Sequence, residues 1–230
     1  MKKASLVKGT RDFGPKQVQK RKYIFGIIEK VFRKYGFAAL ETPSMENLST
    51  LTGKYGDEGD QLLFKILKNG AIQEKAVAAQ DEKGFYQSIT DKGLRYDLTV
   101  PFARFVSMNR HEIKFPFKRY QMQQVWRADR PQKGRYREFW QCDADSIGTE
   151  SLICEMECLS MFDQAFDQLN IPVNIPVDKT VKMGAPSFWS FLTFVVKRVK
   201  MGAPSFWSFL TFVVKRVKMG AFRGFLACQK

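Results

Sequence analysis

FKRYQMQQVWRADRPQKGRYREFWQCDADSI, residues Phe117 to Ile147, holds two runs that alternate with period 2. In the first, Tyr120, Met122 and Trp126 fall on one face, and Arg119, Gln121, Gln123 and Arg127 on the other. In the second, Tyr136, Trp140, Cys142 and Ala144 share a face, and Phe139, Gln141, Asp143 and Asp145 share the opposite one. Successive strand residues point to opposite sides of a sheet, so the pattern predicts two strands, each with an apolar and a polar face. Between them, Ala128 to Arg135 holds Pro131, Gly134 and the cations Arg130, Lys133 and Arg135, and predicts a loop. The simplest assembly is an antiparallel hairpin with a long basic loop. One sheet face would then carry Arg127, Gln141 and Asp145, with Phe139 beside them, under a cationic flap. Such a face suits a zwitterion and a polyphosphate held side by side. An ordinary amphipathic hairpin with a solvated outer face gives the same alternation. Mixed amides, acids and an aromatic on the polar face, with guanidinium forks nearby, favour a binding surface. Spacing alone leaves both readings open.

The chain has 230 residues, enough for one sizeable core or two small ones. Its 44% hydrophobic and 27% charged residues are ordinary for a globular protein. The net charge of +15 suggests a polyanionic partner. The charge is unevenly spread: nine of the 38 cations and none of the 23 acids lie from Val181 onward, which leaves +6 for the first 180 residues. Cys142, Cys154, Cys158 and Cys228 form no CxxC pair, and no secretory leader is visible, so a reduced, cytoplasmic setting is expected. Cys154 and Cys158 stand at i, i+4 on a predicted helix, where buried packing is expected. His111 is the one histidine, so multi-histidine metal sites are excluded and no metal site is expected. A surface or helix-end place suits it best.

In chain order, Lys8-Gly-Thr-Arg-Asp-Phe-Gly-Pro15 is a turn-rich lead-in. Ile24, Ile28, Val31 and Tyr35, with Phe25 and Phe32 alongside, predict a helix from Lys16 to Tyr35 that Gly36 ends. Phe37 to Glu41 predicts a short strand, and Leu62 to Leu67 another. Ala71 to Phe85 reads as a polar surface excursion. Thr99, before Val100 and Pro101, predicts a helix start, with the helix running Phe102 to Asn109. Asp97 then ends a strand just before that helix, where Asp97 and Thr99 either cap it or face a ligand. Thr149 predicts a cap for a helix over Glu150 to Leu169, with Leu152, Met156, Leu159 and Phe166 as its buried stripe.

Arg127-Ala-Asp-Arg-Pro-Gln-Lys-Gly-Arg-Tyr-Arg-Glu-Phe-Trp-Gln141 resembles motif 2 of class II aminoacyl-tRNA synthetases, specifically the histidyl family. The Lys8 to Pro15 lead-in resembles that family's opening signature, and Lys16 to Glu46 resembles motif 1. The resemblance implies an α+β fold, an antiparallel sheet flanked by helices, as in the class II catalytic core, here incomplete. It implies ATP-dependent activation of histidine to histidyl-adenylate, transfer to tRNA, and a homodimer formed through Lys16 to Glu46. It implies that Arg127, the catalytic residue, bridges the substrate carboxylate and the ATP α-phosphate. Asp129 would contact adenine, Arg135 the γ-phosphate, and Phe139 would stack on adenine. Asp97, Leu98 and Thr99 would form the loop holding the α-amino group of histidine. Gln141 would lie near the amino acid and Asp145 would read the imidazole. ATP and Mg²⁺ are the implied cofactors.

Past about Val177 the family pattern is lost, which divides the chain into a 1–176 catalytic core and a 177–230 basic, apolar tail. VKMGAPSFWSFLTFVVKR, Val181 to Arg198, recurs unchanged as Val199 to Arg216, and VKMGA begins again at Val217. The apolar run in each copy, Phe188 to Val196 in the first, is far short of the ~20 residues of a membrane span. Motif 3, a histidine-specific Tyr-Tyr loop and an anticodon-binding domain are not found, and a sheet without its last strands would present an open edge. Two other readings stand beside the enzyme: a non-catalytic, synthetase-like histidine-binding or regulatory module, and the inactive product of a damaged reading frame, which the perfect repeat suggests.

Overall fold

The hairpin predicted between Phe117 and Ile147 is present. In a computed structural model, which describes residues 3–52, 61–70, 82–132, 134–149, 151, 153–172 and 210–217, its strands are β5 (Phe117–Trp126) and β6 (Glu138–Ile147). Other elements are α1 (Pro15–Lys34), β1 (Ala38–Ala39), β2 (Met45–Asn47), α2 (Leu48–Leu51), β3 (Lys65–Leu67), α3 (Glu82–Ile89), β4 (Thr90–Leu94), α4 (Thr99–Met108), α5 (Ile153–Gln168) and β7 (Leu210–Val217). One sheet has the order β1-β5-β6-β7, the other β2-β4-β3. The Arg127 N–H donates to the Arg137 carbonyl, 2.8 Å away, at the mouth of the hairpin, and Arg119 pairs with Asp145 further along. Both pairs are symmetric about Gln132, as one uninterrupted antiparallel register requires.

The chain divides into two units. Unit 2 comprises Asp12–Glu41, Asn109–Gln123 and Trp140–Lys230. Its α1 starts with Pro15 at the first helical position, where a missing N–H costs nothing, and the Gln17 side chain accepts from the Gly14 N–H at 2.9 Å. Arg33 and Lys34 complement the negative C-terminal end, and Gly36, at φ +78°, turns the chain out as predicted. The face Ile28, Val31 and Phe32 packs on Phe37, on Tyr120 of β5, on Cys142 and Ala144 of β6, and on Cys158, Met161, Phe162 and Ala165 of α5. Burying Phe32 alone contributes about 1.5–3 kcal/mol.

Three expectations in unit 2 change. The helix after Thr149 starts at Ile153, not Glu150, because two short side-chain bonds occupy the lead-in: Ser151 N–H to Thr149 Oγ1 (3.1 Å) and Ile153 N–H to Ser151 Oγ (3.3 Å). The buried stripe of α5 is also rotated. Cys154, Cys158, Met161, Phe162 and Ala165 face inward, while Met156 is 50% exposed and Leu159 and Phe166 are only partly buried. Leu152 lies outside the described residues. Finally, the edge of β6 is not open. β7 pairs with it in parallel from Trp140↔Leu210 to Ile147↔Val217. Its sequence LTFVVKRV is rich in β-branched residues, and an unpaired edge is a template for such a strand. The 176/177 boundary and the rest of the repeat lie outside the described residues.

Unit 1 comprises Met1–Arg11, Thr42–Met108 and Gln124–Phe139. Its antiparallel sheet centres on β4, with Glu46 and Lys65 both opposite Gly93. Leu51, Leu63, Tyr96 and Val100 form a small core. Arg104 of α4 grips the buried Glu46 of β2 with three bonds of 2.8–3.0 Å. The predicted Leu62 strand begins only at Lys65. The predicted polar excursion contains α3 from Glu82, its residues 71–81 lying outside the described set. Among the described residues, no helix is long and apolar enough to cross a membrane.

Candidate functional site

The candidate residues divide between the units. In unit 1, Arg95 fixes the segment that carries Asp97. Its side chain is buried, with Nε donating to the Gln124 carbonyl (2.9 Å) and Nη1 to the carbonyls of Thr42 and Pro43. Its own N–H reaches Ser44 O at 3.0 Å and its carbonyl accepts from Trp126 N–H at 3.0 Å. The segment is therefore pinned without being a strand, since β4 ends at Leu94. Asp97 caps α4: its Oδ1 accepts from the Val100 N–H at 3.2 Å. Thr99 is the first helical residue, as its place before Val100 and Pro101 predicts. Oδ2 of Asp97 makes no hydrogen bond to a described residue. Leu98 is wholly buried.

Arg127 lies just past β5. Its Nε donates to the Tyr96 carbonyl at 3.0 Å, and its guanidinium stands 5.1 Å from the centroid of the Phe139 ring. A carbonyl behind and a π face beneath fix the plane of the fork. Its two terminal nitrogens make no hydrogen bond to any described residue. A fork held this way is set for a bidentate oxyanion, either carboxylate or phosphate. Phe139 thus supports the arginine on one face, in addition to any role in stacking. Asp129 lies in the loop, where its carbonyl accepts from Arg137 Nε at 3.1 Å, and Arg135 is exposed beside Gly134.

In unit 2 the polar face of the hairpin is sealed. Arg119, Asp143 and Asp145 are 0% exposed and Gln141 is 3% exposed, with Gln121 equally deep. This overturns the reading of that face as a solvated surface. Arg119 and Asp145 form an ion pair, and Gln121 donates to Gln123. Asp143 lies on the same buried face, two residues from Asp145. Oε1 of Gln141 is buried without a partner among the described residues and accepts no N–H. An unpartnered acceptor amide suits an N–H-bearing ligand. Behind them, burial first and the Asp143 charge second push the Cys142 thiol well above its usual range.

Sequence reasoning placed Arg119 and Asp143 on the right face but gave neither a role. The signal was available: Arg119 and Asp145 are equidistant from the middle of the loop, so a continuous register makes them cross-strand partners. Among the described residues no group of three His, Cys, Asp or Glu side chains gathers to cage a metal, and His111 is exposed in the turn after α4. The Mg²⁺ implied by the resemblance therefore finds no carboxylate cluster among these residues.

No family model matches the chain. It is 60% identical over 174 residues to the histidine–tRNA ligase of Cytophaga hutchinsonii, covering 74% of this chain and 38% of the relative. With the histidine–tRNA ligase of Phocaeicola vulgatus the identity is 55% over 180 residues, 76% of this chain and 40% of the relative. Among solved structures, histidyl-tRNA synthetase from Nostoc sp. PCC 7120 aligns with a TM-score of 0.56 at 27% identity, covering 72% of this chain and 34% of that one. The fold is that of a class II synthetase core in part. The chain spans 38–40% of the length of these two curated relatives. Over the residues it shares with them, the chain belongs to the histidine–tRNA ligase family and corresponds to the N-terminal portion of its members.

Proposed function

We propose that this chain carries the amino-acid-activating residues of a histidine–tRNA ligase. The observation that carries the reading is the Arg127 fork, oriented by the Tyr96 carbonyl and the Phe139 ring with both terminal nitrogens uncommitted. In the reaction, a histidine carboxylate oxygen forms a bond to the ATP α-phosphorus. The bond from that phosphorus to the bridging oxygen breaks, and pyrophosphate leaves with the electron pair. No covalent nucleophile from the protein is required. Arg127 aligns the carboxylate and the α-phosphate and stabilises the charge that builds between them. Arg135 grips the γ-phosphate, Asp129 meets adenine, and Phe139 offers adenine a stacking surface. Asp97, at the pinned turn with Leu98 and Thr99, takes the ammonium group. Gln141 accepts an N–H of the amino acid, and Asp145 reads the imidazole. Mg²⁺ would neutralise phosphate charge, and no step is routed through it. Transfer to tRNA, a homodimer through Lys16 to Glu46, a cytoplasmic place, and the division into a 1–176 core and a 177–230 tail complete the proposal.

The test is histidine-dependent ATP–pyrophosphate exchange by the purified 230-residue chain and its Arg127→Ala variant. Exchange specific to histidine, lost in the variant, is the expected result. Near-normal exchange in Arg127→Ala would sink the role given to that arginine. Histidine binding by the folded chain with no exchange would favour the non-catalytic, histidine-binding module instead.

A further inference from the structure

The lead-in Val7 to Arg11 is bonded to the base of the basic loop of unit 1. Thr10 closes a tight turn on Val7, its N–H and Oγ1 both donating to the Val7 carbonyl at 3.0 and 2.8 Å. That turn presents two carbonyls to Arg137. The Arg137 N–H donates to Gly9 O at 2.9 Å and Nη1 to Lys8 O at 3.5 Å. The same side chain then crosses the loop, where its Nε donates to Asp129 O at 3.1 Å, and its own carbonyl accepts from the Arg127 N–H. One residue therefore joins the lead-in, the two stems of the loop and Arg127. Arg11 adds a second hold, its guanidinium lying over the Tyr136 ring. Gly9 makes the approach possible. Its φ is +90°, and a Cβ there would stand 2.8 Å from Pro131 Cγ and 2.9 Å from Arg137 Cγ. No L side chain adopts that backbone cheaply or fits that gap.

We propose that Val7 to Arg11 is a brace for the 128–137 loop, with Gly9 and Arg11 as positioning residues that hold Asp129 and Arg135 where a triphosphate is gripped. Neither residue touches the nucleotide. The inference rests on the reading of the loop as the ATP grip, and the experiment separates the two. A loop fixed at its base pays its ordering entropy on folding, not on binding, so its ligand binds more tightly.

The test is limited trypsin digestion of the 230-residue chain, with and without millimolar ATP, read as cleavage after Arg135 relative to cleavage after Lys34 in α1. Arg135 is exposed, so cleavage there reports how often the loop opens. Gly9→Ala and Arg11→Ala are each expected to raise that ratio about tenfold, because cleavage tracks the open population. Arg11→Lys, which keeps a cation over Tyr136, should restore most of the parent ratio. ATP should slow cleavage after Arg135 in the parent and lose that protection in Gly9→Ala. An unchanged ratio in both Gly9→Ala and Arg11→Ala overturns the brace, as does Arg11→Lys behaving like Arg11→Ala. Raised ratios with no ATP protection in the parent uphold the brace and sink the ATP reading of the loop.

Discussion

Arg119 and Arg127 belong to the same alternating run, yet their environments are opposite. Arg119 is fully buried against Asp145 in unit 2, while Arg127 in unit 1 is held from behind and keeps its terminal nitrogens uncommitted. A guanidinium spent on an internal partner fixes structure; one with its fork unspent can meet a ligand. The difference teaches that a polar strand face is not one kind of surface. The first way to break the comparison is to remove the partner of Arg119. Asp145→Asn keeps the shape but removes the carboxylate from the buried ion pair with Arg119. Loss of one member of a buried pair costs about 3–5 kcal/mol. Chemical denaturation should show that loss, with an unchanged slope against denaturant. A change below about 1 kcal/mol would mean that the pair is not sealed, since only solvent-exposed pairs are worth so little.

Much of this was legible before any coordinates. Period-2 alternation separated Tyr120, Cys142 and Ala144, which reach the core, from Arg119, Gln141 and Asp145, which do not join it. It could not say what covers the second face, because alternation fixes which residues share a side and not what lies on it. The phase of α5 was misread for a related reason. Large apolar residues such as Met156 set the expected stripe, whereas the buried face also holds the small Cys158 and Ala165. The tail strand β7 is not legible from its apolar run alone, because the run's length does not say which edge it pairs with. Among candidate site residues, alternation already put Phe139 beside Arg127 on one face; the motif resemblance supplied their roles, and the cation–π contact between them needed the structure. The lead-in's turns and its resemblance are legible in the sequence, but its bonds to Arg137 are not, since they join residues far apart in the chain.

The second way concerns the open side of the comparison. Arg135 is exposed, and its backbone alone closes the small bridge to Gln132. Arg135→Ala should shift the melting free energy by no more than about 0.5 kcal/mol, as for most surface changes. It should weaken ATP binding about tenfold, the worth of one charge-assisted contact of about 1.4 kcal/mol. Titration calorimetry beside a denaturant melt measures both. A large stability loss with unaltered ATP affinity would turn Arg135 into a structural residue and erase the contrast with Arg119.

The smallest effect lies on the apolar side of β6. Cys142 is wholly buried in the core of unit 2, and burial, then the Asp143 charge, raise its thiol well above 9.0. In the unfolded chain that thiol ionises near its ordinary value, so the unfolded state loses the proton first. Stability from this group is complete below the unfolded value and falls as pH rises past it. A single such thiol contributes at most about 1.4 kcal/mol per pH unit. Cys142→Ala removes the titration and leaves a small, pH-independent cavity cost. Tyr120, also raised chiefly by burial, stays in both proteins and cancels in the comparison. Melts of the parent and Cys142→Ala should therefore run parallel at neutral pH and converge in alkali, the parent losing stability faster. Curves that stay parallel through the alkaline range would show that the thiolate is tolerated in the fold, and that the core side of β6 is wetter than its neighbours Ala144 and Phe162 make it.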